Sequence, residues 1–175
     1  MDGYLHGEGC CTIILEVVDA SLSRNAYANF LDMSFQSDGK LASITAPNGL
    51  AQERLIRQAL KVSNIKPDDV DYIEAHGTGT ALGDPIEIEA LAGVFAASIS
   101  NSNSLYPLMV GSVKSNIGHL EVAAGMAGLI NAILVLCQES VPPNVGLEKL
   151  NPCIKESVAS HGFLVDFPTV LSLLR

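Results

Sequence analysis

The sequence predicts an α/β domain on a mostly parallel sheet, and three observations point there. Twice a short apolar strand runs into a histidine-bearing motif and then into a helix. Residues 70–75 lead through His76-Gly77-Thr78-Gly79-Thr80 to a helix start at Asp84, and residues 108–113 lead through Lys114-Ser115-Asn116-Ile117-Gly118-His119 to a second helix. Strands alternating with helices build parallel sheets, which bind ligands beyond the C-terminal ends of their strands. The composition, 48% hydrophobic and 17% charged over 175 residues, is that of a chain able to fill a core. Finally, residues 120–138 form a helix that is apolar on every side, which requires cover on more than one face. With a single sheet in a chain of this size, the second covering layer is expected from chain outside this sequence.

In order, residues 11–18 are β-branched and apolar after a glycine-rich stretch and read as a buried strand, and residues 27–35 as a second. After the turn signals Ser37-Asp38-Gly39 and Thr45-Ala46-Pro47-Asn48-Gly49, apolar residues from Leu50 to Val62 recur at helical spacing. Pro67-Asp68-Asp69 turns the chain into the strand before His76. In Asp84-Pro85-Ile86-Glu87, Asp84 is the expected N-cap, Pro85 the first helical residue and Glu87 the capping-box partner. Residues 98–104 read as a polar loop, and His119 as the start of the apolar helix.

Nineteen Asp and Glu against ten Lys and Arg leave a net charge of −9. Without a basic run, nucleic acid and anionic membrane surfaces are poor partners. The apolar run at residues 122–137, broken by Asn131, falls short of the roughly 20 residues of a membrane span. The N-terminus lacks the pattern of a signal peptide. Cys10, Cys11, Cys137 and Cys153 show no metal-ligand or disulfide spacing and are expected to be free thiols in a reducing compartment, the cytoplasm, with an organelle left open. No metal site is expected. Gly77-Thr78-Gly79-Thr80 alone is a weak phosphate-loop signal, because the Walker lysine is missing. A lone histidine at a strand end is commonly structural; two of them, each followed by a helix, suggest a site.

An ordered set of motifs carries a resemblance. Asp2-Gly3-Tyr4 with Gly7-Glu8-Gly9-Cys10, Thr45-Ala46-Pro47-Asn48-Gly49, Glu74-Ala75-His76-Gly77-Thr78-Gly79-Thr80 with Leu82-Gly83-Asp84-Pro85-Ile86-Glu87, residues 111–121 with Ala123-Ala124-Gly125, Pro142-Pro143-Asn144 and Asn151-Pro152 resemble the C-terminal half of a β-ketoacyl synthase domain, as worded in type I polyketide synthases. The resemblance implies a thiolase-like fold, five-layered (αβαβα) in the complete domain. Residues 1–20 would close the N-terminal half, residues 21–152 form the C-terminal half and residues 153–175 a divergent tail. It implies decarboxylative Claisen condensation of an acyl thioester with a malonyl thioester, in polyketide or fatty-acid synthesis. His76 and His119 match the catalytic histidines, Lys114 the active-site lysine, and Thr78 and Thr80 threonines that bind the pantetheine arm, although threonine hydroxyls also satisfy turn backbone. The partners implied are an acyl carrier protein bearing phosphopantetheine-linked thioesters, the N-terminal half of the domain and a second copy in a homodimer, with no directly bound cofactor.

The family's nucleophilic cysteine lies in an Asp-Thr-Ala-Cys-Ser-Ser type segment that has no match here, so the sequence is expected to be a fragment, inactive by itself. A non-catalytic remnant or carrier-protein interaction module is the alternative; a chain-initiating decarboxylase is a third reading. A degradative thiolase fits poorly, lacking its Cys-x-Gly setting near the C-terminus.

Overall fold

The computed structural model describes residues 5–17, 26–37, 47–101 and 106–174. In chain order the helices and strands are α1 (Gly49–Val62), β1 (Tyr72–Glu74), α2 (Gly83–Asn101), β2 (Leu108–Gly111), α3 (Lys114–Ile117), α4 (Ala124–Gln138), β3 (Ser140–Val141), α5 (Pro152–His161), β4 (Val165–Asp166) and β5 (Ser172–Leu173). The expected parallel sheet is present: β1, β2 and β4 lie side by side in that order, with Tyr72 opposite Met109, Glu74 opposite Gly111 and Leu108 opposite Val165. β3 and β5 form a small antiparallel pair.

β2 shows why the sheet has helices on both sides. Leu108 and Val110 point into a core built with Ile88, Leu91 and Phe95 of α2, Ile154 of α5 and Phe163. Met109, one residue out of phase, points to the opposite face, into a cluster with Val135 of α4 and Val141. Successive side chains alternate across a strand, so a strand covered on both faces must be apolar throughout. The outer helices are capped by their own sequence. Asn48 Oδ1 accepts from the Ala51 N–H (3.1 Å) at the start of α1, and Asn151 Oδ1 from the Cys153 N–H (2.9 Å) at the start of α5, where Pro152 occupies the first turn.

Several expectations need correction. Residues 11–17 and 27–35 are not strands: Ile14 and Val17 stand almost wholly in solvent, as does most of Phe35. A strand exists only by pairing, and among the described residues neither run has a strand partner; residue 18 lies outside the described residues. The polar loop expected at residues 98–104 is in part helix, because α2 continues to Asn101; residues 102–105 lie outside the described residues. The segment expected as one helix from Leu120 begins with a 3-10 turn, Glu121–Ala123, before α4.

The stretch Glu121–Gln138, with 18 residues and a mean hydropathy of 1.6, is apolar and long enough to cross a membrane, longer than the run counted above. Here it is a core helix on one side: Ala127, Gly128, Asn131 and Val135 are buried, whereas Leu134, Leu136 and Cys137 are exposed. Cys137 therefore sits on the open side, its Sγ donating to the Tyr27 carbonyl (3.4 Å).

Candidate active site at the strand ends

Both histidine motifs emerge from the same end of adjacent parallel strands. Beyond β1, the Ala75 N–H still donates to the Gly111 carbonyl (2.8 Å), and then the backbone turns away. The loop that follows would leave a row of amide groups unpaired, and two carboxylates from the first two turns of α2 accept from them. Glu87 takes the His76 N–H (2.7 Å) and the Gly77 N–H (3.0 Å) on its two oxygens. Asp84 accepts from the N–H groups of Gly79 (3.1 and 3.2 Å) and Thr80 (3.3 Å). Thr80 Oγ1 in turn accepts from the Gly83 N–H (3.1 Å), which opens α2. The expected capping box is thus absent. Thr80 supplies the cap oxygen, and Asp84 and Glu87 reach back to the loop, where the positive end of α2 favours their charge. Gly77 has φ +49°, and a Cβ there would lie 2.7 Å from the Ser112 Cβ, so a side chain is excluded twice over.

The second motif is held differently. Ser112 donates from its N–H to Asn144 Oδ1 (3.1 Å) and from its hydroxyl to the His76 carbonyl (3.4 Å). After the single turn of α3, His119 forms an isolated parallel bridge with His6: its N–H donates to the Leu5 carbonyl (2.8 Å), and its carbonyl accepts from the Gly7 N–H (2.9 Å). His119 does not begin a helix, so a helix terminus is not what conditions its ring. Instead Nδ1 accepts from the Glu121 N–H (3.0 Å), which puts the proton of the neutral imidazole on Nε2.

These two loops bring His76 and His119 together edge to face, with ring centroids 5.8 Å apart and planes at 88°. His119 is buried and His76 lies toward the open side. Desolvation of the His76 ring, followed by the Lys114 charge, holds its pKa below the ordinary 6.5; His119 adds to the lowering, and Glu87 and Asp84 oppose it. Lys114 therefore acts on the His76 ring electrostatically. Burial raises the Asp84 carboxyl above its usual range, against the amides of Thr80 and Gly79. Thr78 and Thr80 are both half-buried in the first loop, and the Thr80 oxygen is committed to Gly83. Among the described residues no cluster of His, Cys, Asp and Glu could hold a metal ion.

The motif pattern of the sequence does not single out Glu74, Asp84 and Glu87 as loop supports, nor Ser112 and Asn144. A signal exists for Glu74: a carboxylate on a strand of a parallel sheet covered on both faces needs partners.

The family model for the C-terminal domain of beta-ketoacyl synthase matches residues 27–148. A phenolphthiocerol/phthiocerol polyketide synthase of Mycobacterium tuberculosis (strain CDC 1551 / Oshkosh) is 44% identical over 158 residues, 89% of this chain and 8% of that protein. The hybrid PKS-NRPS synthetase pynA of Aspergillus niger is 45% identical over 155 residues, 87% of this chain and 4% of its own length. Among solved structures, the oxazolomycin ketosynthase domain OzmH KS7 of Streptomyces albus JA3453 superposes with a TM-score of 0.70 at 35% identity, covering 81% of this chain and 23% of that one. The chain thus spans less than a tenth of these curated relatives.

Proposed function

We propose, from the premise that this chain belongs to the β-ketoacyl synthase family, carries its C-terminal domain and shares its thiolase-like fold, that His76 and His119 together stabilise the enolate formed when a malonyl thioester loses carbon dioxide. One observation carries this reading: two imidazoles from the loops after adjacent strands meet at 5.8 Å, one accepting a backbone amide on Nδ1 and the other with its pKa lowered by desolvation and Lys114.

In the proposed reaction the bond between the malonyl carboxylate and its α-carbon breaks and its electron pair moves onto the thioester oxygen. N–H donors aimed at that oxygen lower the barrier by about 3 kcal/mol each in comparable sites. The enolate carbon then attacks an acyl thioester held on a cysteine; the carbon–carbon bond forms and the thiolate leaves. The cysteine belongs to a segment not matched here, so the chain acts with the N-terminal half of a complete domain, in which residues 1–20 close that half, residues 21–152 form the C-terminal half and residues 153–175 a tail. By itself it is inactive. Thr78 and Thr80 hold the pantetheine arm of an acyl carrier protein, no cofactor binds directly, and the complete domain is a cytoplasmic homodimer. The second reading, a non-catalytic remnant or carrier-protein interaction module, is favoured by the unmatched nucleophile segment, and the intact histidine pair and Lys114 favour the first.

The test is made with the chain joined to its N-terminal half. Replacing either histidine by Ala is expected to lower release of carbon dioxide from malonyl thioester about 100-fold or more while the cysteine still takes up an acyl group. An unchanged rate in either variant would remove that residue from the mechanism.

A further inference from the structure

We infer that Glu74 is a positioning residue for this site: its carboxylate is shared by β1, the turn that launches Lys114, and α4, and so sets the distance between the His76 loop and the Lys114–His119 loop. The inference deepens the reading above and rests on it. Glu74 ends β1, two residues before His76, and its side chain turns to the α4 face of the sheet. There Oε1 accepts from the Val113 N–H (2.7 Å), the residue immediately before Lys114. Oε2 accepts from Asn131 Nδ2 (2.7 Å) and from the Tyr72 hydroxyl (2.5 Å), and Asn131 also donates to Tyr72 (3.2 Å). A reciprocal bond runs from the Ser112 hydroxyl to the His76 carbonyl (3.4 Å), so each loop grips the backbone of the other.

Two glycines make room for this arrangement. A Cβ at Gly128 would lie 3.2 Å from the Glu74 Cγ, and one at Gly111 would lie 2.9 Å from the Tyr72 hydroxyl oxygen. Asn131 is the one polar residue in the buried face of an apolar helix, and its amide is spent on Glu74 and Tyr72. Stability does not explain such a cluster, because well-packed apolar side chains in place of buried polar and ionic groups are commonly neutral or stabilising. Geometry does explain it: the strand register ends at Gly111, and past that point Glu74 and Ser112 tie the two catalytic loops to each other.

The experiment uses the complete domain and three changes. Glu74→Ala removes the acceptor, and Val113→Pro removes the donor at a position whose φ of −57° suits proline. Glu74→Gln keeps an oxygen for Val113. Carbon dioxide release is expected to fall about 100-fold in Glu74→Ala and in Val113→Pro, the cost of a displacement near 1 Å, with less than about tenfold loss in Glu74→Gln. Acyl transfer to the cysteine should persist, and Glu74→Ala with Val113→Pro together should lose no more than either alone. The ring titration of His76, followed by NMR, should rise toward 6.5 in Glu74→Ala and Val113→Pro as Lys114 moves off, with His119, Glu87 and Asp84 as the other charges facing that ring. Additive losses, an unchanged rate in Val113→Pro, or a His76 titration that stays in place would each overturn the inference. If the unaltered domain releases no carbon dioxide, the proposed function fails, and the His76 titration still decides on Glu74.

Discussion

The two histidine loops reach the same point by unlike means. The His76 loop is held from within: carboxylates of the helix that follows accept from four of its amide groups, so a continuous segment from residue 72 to residue 87 carries both the histidine and its support. The backbone of the His119 loop is held from outside, by a bridge to residues 5–7, and only its ring takes a local bond, from the Glu121 amide. Gly7 and Gly9 lie close to Leu120 just after the histidine, where an added Cβ would come within 2.9 and 2.8 Å of the leucine side chain. The contrast teaches that one of two neighbouring loops can be supported by a local motif while the other is supported by a long-range contact, each in addition to the bonds that tie them to each other.

Breaking the local support should give the largest effect. Glu87→Ala leaves the amides of His76 and Gly77 without their acceptor, and bonds to a charged group are worth about 1.5–3 kcal/mol each, less here because the loop is partly exposed. A stability loss of about 2 kcal/mol is expected, with faster hydrogen exchange at His76 and Gly77 and unchanged exchange at His119. Equal acceleration in both loops would mean that they are not independent. Breaking the long-range support should cost somewhat less. A Cβ at Gly7 would lie 2.5 Å from the Ile117 carbonyl oxygen, so Gly7→Ala should part residues 5–7 from His119 at a cost of about 1–2 kcal/mol. Exchange should then quicken at Gly7 and His119 and stay slow at Gly77.

The smallest effect concerns charge, and it sharpens the comparison because it acts on one ring only. His76 has a folded-state pKa below its unfolded value, so the unfolded chain binds more protons just below pH 6.5. Stability therefore rises as pH rises through that window and falls on acidification. If the neutral ring is the active form, the acid limb of carbon dioxide release lies below 6.5. Lys114→Ala should move that limb up, and Glu87→Gln should move it down, since the lysine lowers and the glutamate raises the His76 pKa. Shifts of the same sign in both variants would contradict the assigned charges.

Much of this fold was legible in the sequence because it is local. α1 begins within one residue of its expected start, β1 and β2 lie inside the predicted strands, and His76 follows the end of β1 closely, whereas His119 stands beyond the turn of α3, in a bridge with His6. α5 had a signal of the same kind in Asn151-Pro152, a cap and a first-turn proline. What failed were statements about pairing. Residues 11–17 have the composition of a strand, but composition does not supply a neighbour, and a ladder needs two segments. Asp84 and Glu87 matched a helix-capping pattern, yet the same carboxylates could turn to either of two sets of amides, and the geometry of the loop before them decided. Likewise the sequence by itself determined which residues carry imidazole, carboxylate and amide groups and roughly where each helix starts. Only the tertiary structure decided that the two rings meet edge to face and that Glu74 spans both loops, because each of these depends on side chains brought together from distant parts of the chain.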